Sequence, residues 1–240
     1  DNEGIAISGD RLYAIFPGTN NSGDGASLLS IVDLKTLKIL DTYGPTNGYP
    51  DKINVFDSIV VVDGSYFYNV ADDEIEYLGG LIESAYYNAT MDTHQKGNFL
   101  YRAIQSTGFG VYDMTDPLNP VTVYEHDYDG GYPYGIYADD NYIFLCDLDA
   151  NKDWSWDLER IYIHQNGGDF AQLGYINSGA YRVAIHGDLM YTDKSTIFDI
   201  SDPANPVEIE DHSYTGHSSN GQMTIVGDYL LIANGGHRGN

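Results

Sequence analysis

Short runs in which apolar and polar residues alternate recur along the whole chain. They come in pairs: one alternating run, a tight polar turn, then a second run that is apolar nearly throughout. The first members read GIAIS, INVFD, ATMDT, YGIYA, RVAIH and MTIVG, and the second RLYAIF, IVVVD, NFLYRA, YIFLCD, LMYTD and YLLIA. A period of two, enrichment in β-branched and aromatic residues, and a turn signal every few residues predict strands; no segment predicts a helix. A third strand follows in LLSIVD, YFYNV, GFGVYD, RIYIH and TIFDI, and a fourth in VTVYEH and PVEIED.

The units are related by repetition. VYDMTDPLNPVTVYEHDY, residues 111–128, aligns without a gap to IFDISDPANPVEIEDHSY, residues 197–214. The two elements begin at Asp113 and Asp199, 86 residues apart, which is two periods of 43. A period of about 40 to 45 residues is that of a four-stranded propeller blade. Between them, ERIYIHQNGGDFAQLGYI keeps a strand pair without the Asp-Pro turn. The expected fold is therefore all-β, a single β-propeller domain of about six four-stranded blades with the last incomplete. The blades fall near 1–49, 50–85, 86–132, 133–180 and 181–219, with a partial one at 220–240.

Asp-Pro-x-Asn-Pro is read as a rigid turn between third and fourth strands, with Pro fixing φ and Asp or Asn bonding the local backbone. A position that recurs serves the repeat. His126 and His212 in the fourth strands, and the turn residues Asp10, Asp57, Asp188 and Asp228, are expected to be structural for the same reason.

The motif-bearing segments resemble the LVIVD-repeat β-propellers, whose blades carry a strand like IFDIS followed by Asp-Pro-x-Asn-Pro-Val. The match is good in VYDMTDPLNPV and IFDISDPANPV, partial in LSIVDLKTLKIL, and degenerate in the second and fourth units. This resemblance implies a secreted or cell-surface setting and implies little about activity, because propellers host many functions.

The sixth unit stops after its second strand, at YLLIANGGHRGN, and the first unit opens on a first strand. The pattern predicts either a piece of a longer chain, the favoured reading, or a two-stranded stub with an exposed edge. With neither an initiator Met nor a signal-peptide pattern, the N-terminus reads as a processed or truncated boundary.

Charge narrows the partners. The 36 acidic residues against 11 basic give a net charge of −25 over 240 residues. Such a surface repels nucleic acid and anionic membranes, both of which are bound through Lys and Arg. It is tolerated better where salt screens it, which fits a saline or calcium-containing extracellular setting. No apolar run approaches the roughly 20 residues of a membrane helix. The one cysteine, Cys146, lies inside YIFLCDL, so a buried thiol is expected and an internal disulfide is excluded.

Two loops between second and third strands are long, PGTNNSGDGAS and DLDANKDWSWDLE. In the latter, Asp147, Asp149, Asn151 and Asp153 alternate as hard oxygen ligands would for Ca²⁺, like the first half of an EF-hand loop. Lys152 stands where that loop has Gly, and Leu158 where it has its closing Glu, so an acidic hairpin tip is the alternative. Both tryptophans, Trp154 and Trp156, share this loop and suit stacking on a sugar or anchoring a partner. Tyr49, Tyr86, Tyr87, Tyr132, Tyr134, Tyr181, Arg182 and His217 fall in the connections from fourth to first strands, a rim suited to a carbohydrate or protein ligand or to blade packing. The expected function is an extracellular or cell-surface binding propeller. The alternative is a carbohydrate-active glycosidase or lyase using Glu3, Asp51 and Asp92, with His94 nearby. Sialidase boxes, zinc spacings, a nucleophile elbow and phosphate-binding Gly loops are absent from the sequence. Asn20 and Asn88 open N-x-S/T sequons.

Overall fold

The computed structural model describes residues 4–19, 25–46, 52–80, 90–105, 107–127, 131–148, 159–211 and 223–232. Among these residues the chain forms strands throughout, with one 3-10 turn at Ala71–Asp73. The first sheet holds β1 (Ile5–Ser8), β2 (Arg11–Thr19), β3 (Gly25–Asp33) and β4 (Lys38–Thr46); the second β5 (Ile53–Phe56), β6 (Ile59–Val62), β7 (Tyr66–Asn69) and β8 (Glu76–Gly80). The third holds β9 (Thr90–Lys96), β10 (Phe99–Ile104), β11 (Gly108–Asp113) and β12 (Val121–Asp127); the fourth β13 (Pro133–Ala138), β14 (Tyr142–Asp147), β15 (Arg160–Gln165) and β16 (Gln172–Ile176). The fifth holds β17 (Val183–His186), β18 (Leu189–Thr192), β19 (Thr196–Asp199) and β20 (Val207–Asp211), and the sixth only β21 (Met223–Val226) and β22 (Tyr229–Ile232). In every sheet the strands neighbour one another in chain order.

One expectation changes. The loop read at residues 17–27 is largely strand, because β2 and β3 run on together until Thr19 pairs with Gly25.

By contacts the chain divides into two compact units. One comprises residues 1–86, 97–100 and 112–123, and the other 87–96, 101–111 and 124–240. In the first unit β1 lies beside β5; in the second, β9 lies beside β13, β13 beside β17 and β17 beside β21. First strands thus follow one another from sheet to sheet within each unit.

The nearly unbroken apolar second strands have a physical cause. In β6, Val60 and Val62 face a core with Tyr13, Ile15, Leu29 and Ile31, while Ile59 and Val61 face another with Phe67, Tyr112 and Met114. In β14, Ile143 and Leu145 join Phe109 and Ile136, while Phe144 and Cys146 join Ile163, Met190 and Phe198. A strand buried on both faces has no polar side to alternate with. Cys146 is fully buried and unpaired.

The Asp-Pro turns are alike in both copies. Asp116 accepts Leu118 N–H at 3.2 Å and the Asn119 side-chain amide at 2.9 Å; Asp202 accepts Ala204 N–H at 3.1 Å and the Asn205 amide at 2.8 Å. Just upstream, Asp113 and Asp199 accept the N–H of Thr115 and Ser201, at 2.8 and 2.9 Å. Hydrogen bonds from the side chains and then the backbones of Thr115 and Ser201 hold both carboxyls below the usual range.

A second recurrent bond is made by backbone alone. The carbonyl of the last residue in each hairpin turn between first and second strands accepts an N–H from the end of the third strand. The pairs are Asp10 with Leu34 at 2.9 Å, Ser58 with Val70 at 2.8 Å, Asn98 with Met114 at 2.7 Å, Asn141 with Asn166 at 2.7 Å, and Asp188 with Ile200 at 2.8 Å. Four of these five turns take a left-handed residue, at Gly9, Asp57, Gly97 and Gly187, and so does the hairpin of the sixth sheet, at Gly227. Glycine adopts that conformation without steric cost.

Candidate ligand-binding site

Three second strands end in an aspartate or are followed at once by one, and each aspartate closes the entry to the first strand of its own sheet. Asp63 Oδ1 accepts Lys52 N–H at 3.0 Å, Asp147 Oδ1 accepts Tyr132 N–H at 2.8 Å, and Asp193 Oδ1 accepts Tyr181 N–H at 3.0 Å. Backbone bonds return alongside, from Asp63 N–H to Lys52, Leu148 to Tyr132 and Asp193 to Arg182. An entering strand carries a donor beyond the ladder, and a short carboxylate satisfies it.

Asp147, the first of the expected calcium ligands, is therefore a strut: it is buried, and its carboxylate lies so close to Gly131 that a Cβ there would come within 2.5 Å of Oδ2. Asp149, Asn151 and Asp153 lie outside the described residues, as do Trp154 and Trp156. Among the described residues no three His, Cys, Asp or Glu side chains are placed to hold a metal ion.

Two of the struts hold Tyr132 and Tyr181, which gather with Tyr134 in one cluster. Tyr132 stacks with Tyr134 at 6.4 Å between ring centroids, and Tyr134 meets Tyr181 edge-on at 4.9 Å. All three are half-buried. Gly135 permits the approach: a Cβ there would fall 2.0 Å from the Tyr181 carbonyl oxygen. Lys194 Nζ lies 4.6 Å from the Tyr181 ring centroid, a cation–π contact. Burial raises the pKa of both Tyr132 and Tyr181. Tyr134 adds to the shift at Tyr132, and Glu159 and then Tyr134 add at Tyr181. Both hydroxyls therefore remain protonated donors at neutral pH.

Behind the cluster lies a buried ion pair. Arg182 Nη1 is 3.3 Å from Asp92 Oδ1, and Asp92 Oδ2 accepts Ile136 N–H at 3.2 Å. The charges of Asp193, Asp92 and Asp147 all bear on the Cys146 thiol, whose pKa burial pushes well up before those charges add to it; Arg182 opposes them. The thiol is therefore inert at neutral pH. His94 packs on Tyr137 at 4.6 Å, and burial lowers its pKa. His126 is a packing residue, bonded to Tyr124 Oη at 2.8 Å and 5.6 Å from the ring of His164.

Of the residues expected at a site, Asp92, Tyr132, Tyr134, Tyr181, Arg182 and Asp147 thus converge in the second unit. Glu3, Tyr49, Asp51, Tyr86, Tyr87 and His217 lie outside the described residues, as do His212 and both sequon asparagines. Glu159, Asp193 and Lys194 belong to the site and were not singled out as part of the rim. Asp193 carried a signal, since LMYTD ends as IVVVD and YIFLCD do.

No protein-family model matches the chain, and no curated protein matches it in sequence. Solved structures do resemble it in fold. A Bacteroides uniformis protein provisionally assigned as a 6-phosphogluconolactonase matches with a TM-score of 0.68 at 15% identity, over 96% of this chain and 77% of that one. BamB from Moraxella catarrhalis matches at 0.59 and 10%, over 97% and 67%. The computationally designed protein Ika8 matches at 0.61 and 15%, over 96% and 67%. With the repeated four-stranded meanders, these likenesses make the fold a β-propeller. At such identities they speak for fold alone.

Proposed function

We propose that this propeller is a binding module acting outside the cytoplasm, and that it takes a neutral polar ligand, a sugar above all, on Tyr132, Tyr134 and Tyr181. The carrying observation is the convergence of the three half-buried rings, each offering an apolar face and a hydroxyl donor. Aromatic faces stack on the C–H side of a sugar ring while hydroxyls and carboxylates bond its edge. The net charge of −25 disfavours an anionic ligand. The acidic surface and the resemblance of VYDMTDPLNPV and IFDISDPANPV to LVIVD repeats support the extracellular setting.

A binding role is favoured over glycoside hydrolysis because the three aspartates here are engaged, which leaves Glu159 without a second carboxyl to work with. Asp92 is held by Arg182 and the Ile136 N–H, and Asp147 and Asp193 by strand-entry N–H groups. Hydrolysis needs a carboxyl free to give up a proton and another to receive one.

The test is titration of the protein with neutral mono- and disaccharides, followed by NMR of the tyrosine rings. Saturable shifts of Tyr132, Tyr134 and Tyr181 that disappear in Tyr134→Ala support the reading. Shifts that are absent, or indifferent to Tyr134→Ala, refute it. For the 147–159 loop, calcium is proposed at Asp149, Asn151 and Asp153 beside the Asp147 strut. A melting temperature raised by calcium and restored by EDTA supports the ion; an unchanged one removes it.

A further inference from the structure

Tyr181 stands between two opposite charges that do not meet. Lys194 follows at once on the Asp193 strut, is exposed, and holds its Nζ 4.6 Å from the Tyr181 ring centroid. Glu159, the residue before β15, is half-buried; after burial, its charge is the largest influence raising the Tyr181 pKa. Its carboxyl lies over Gly179, two residues ahead of Tyr181, where a Cβ would overlap Oε2. A glycine in the connection that delivers Tyr181 thus makes room for the carboxyl. Among the described residues neither Glu159 nor Lys194 takes part in an ion pair.

The two groups have complementary chemistry. A carboxylate only accepts hydrogen bonds and an ammonium only donates them. A simple ion of either sign gains from one and is repelled by the other. A hydroxyl both donates and accepts, so two hydroxyls of one neutral ligand satisfy both charges, through bonds of the stronger, charge-assisted class. Since Lys194 covers one face of Tyr181, the flat face for a sugar ring falls to Tyr132 and Tyr134, which stack on one another at 6.4 Å. Tyr134 meets Tyr181 edge-on at 4.9 Å, which brings that face beside the two charges.

We propose that Glu159 and Lys194 read two adjacent hydroxyls of the ligand, one donating to the Glu159 carboxylate and its neighbour accepting from the Lys194 ammonium, while the ring lies on Tyr134. Both charges act on one tyrosine ring, so neighbouring hydroxyls, and not hydroxyls on opposite sides of a sugar, are the pair within reach of both. The proposal rests on the reading of the tyrosine cluster as a sugar site and names what that site selects, a vicinal diol.

The probes are the methyl glycosides of glucose, mannose and galactose and the single-deoxy analogues of whichever binds, with the tyrosine rings followed by NMR. Lys194→Met removes a bond and is expected to weaken binding about tenfold or more; Glu159→Gln keeps an oxygen, loses the charge, and is expected to weaken it about fivefold. One deoxy analogue should bind the parent protein and Glu159→Gln alike, and the analogue that makes Lys194→Met silent should lack the hydroxyl on the adjacent carbon. If the rings shift but both variants bind as the parent does, or the two silent positions are not adjacent, the diol is overturned and the sugar reading stands. If no glycoside moves the rings, the sugar reading fails and the diol with it. Rings moved by glycine and by no glycoside give the two charges to a zwitterion and overturn both.

Discussion

Asp147 and Tyr132, 15 residues apart, are joined by a 2.8 Å hydrogen bond from the tyrosine's backbone N–H to the aspartate's Oδ1. Asp63 with Lys52 and Asp193 with Tyr181 repeat it. The bond ties the aspartate at the end of a second strand to the entry of the first, and in the fourth sheet it fixes the backbone of Tyr132. Asp147→Ala leaves a buried N–H without its acceptor and is expected to lower stability by about 1 to 3 kcal/mol, whereas Asp147→Asn keeps an oxygen there and costs less. Urea unfolding in EDTA measures both. If Asp147→Ala is as stable as the parent protein, the strut is dispensable.

The Asp92–Arg182 pair is more than nine-tenths buried on both sides. Removing one partner of such a pair strands the other charge, at a cost of about 3 to 5 kcal/mol. Arg182→Met alone is expected to fall in that range, and Arg182→Met with Asp92→Asn to recover much of the loss, since the remaining amide bears no charge. Equal destabilisation of the single and double variants would show that packing of the arginine, and not its charge, matters.

His164 is fully buried, donates from Nδ1 to the Phe170 carbonyl at 3.0 Å, and has its pKa lowered to about 4 by burial. Unfolded, it titrates near 6.5. Between those values the unfolded chain binds a proton that the folded chain refuses, so stability is full above about pH 6.5 and declines as pH falls toward 4. The decline attributable to this group is about 3 kcal/mol. His164→Asn, which keeps a donor near Nδ1 and cannot titrate, should flatten that part of the profile; identical pH profiles would exclude the histidine as its source.

Gly135 has the Tyr181 carbonyl where a side chain would begin. Gly135→Ala meets backbone on that side, so β13 has to shift. Overpacking of this kind costs about 1 to 3 kcal/mol. The shift should also break the Tyr134–Tyr181 contact, visible as a change in the chemical shifts of both rings; a variant with unchanged shifts would show that the strands part freely.

The second strands of the second and fourth sheets were legible because they pack on both faces: IVVVD and YIFLCD name two cores at once. The turns were legible because Asp116 and Asp202 act within three residues of themselves, where a sequence displays both partners. The site was legible only in part. Tyr132, Tyr134 and Tyr181 stood out by lying at equivalent entries to first strands. The Asp92–Arg182 pair spans 90 residues, and nothing local to either residue indicates the other. For Asp147 the sequence offered two periodicities, alternation with Asp149, Asn151 and Asp153, and recurrence with Asp63 and Asp193. The hydrogen bonds follow the recurrence.

The turn-carbonyl bonds at Asp10, Ser58, Asn98, Asn141 and Asp188 involve no side chain at either end. Any residue can accept and any but proline can donate, so mutation at these ten positions, proline at the five donors aside, leaves the bonding groups in place. The blades are therefore free to drift apart in sequence while the joint that sets each third strand's exit stays the same. Such a joint lets a fold outlast the similarity by which sequences are recognised as related.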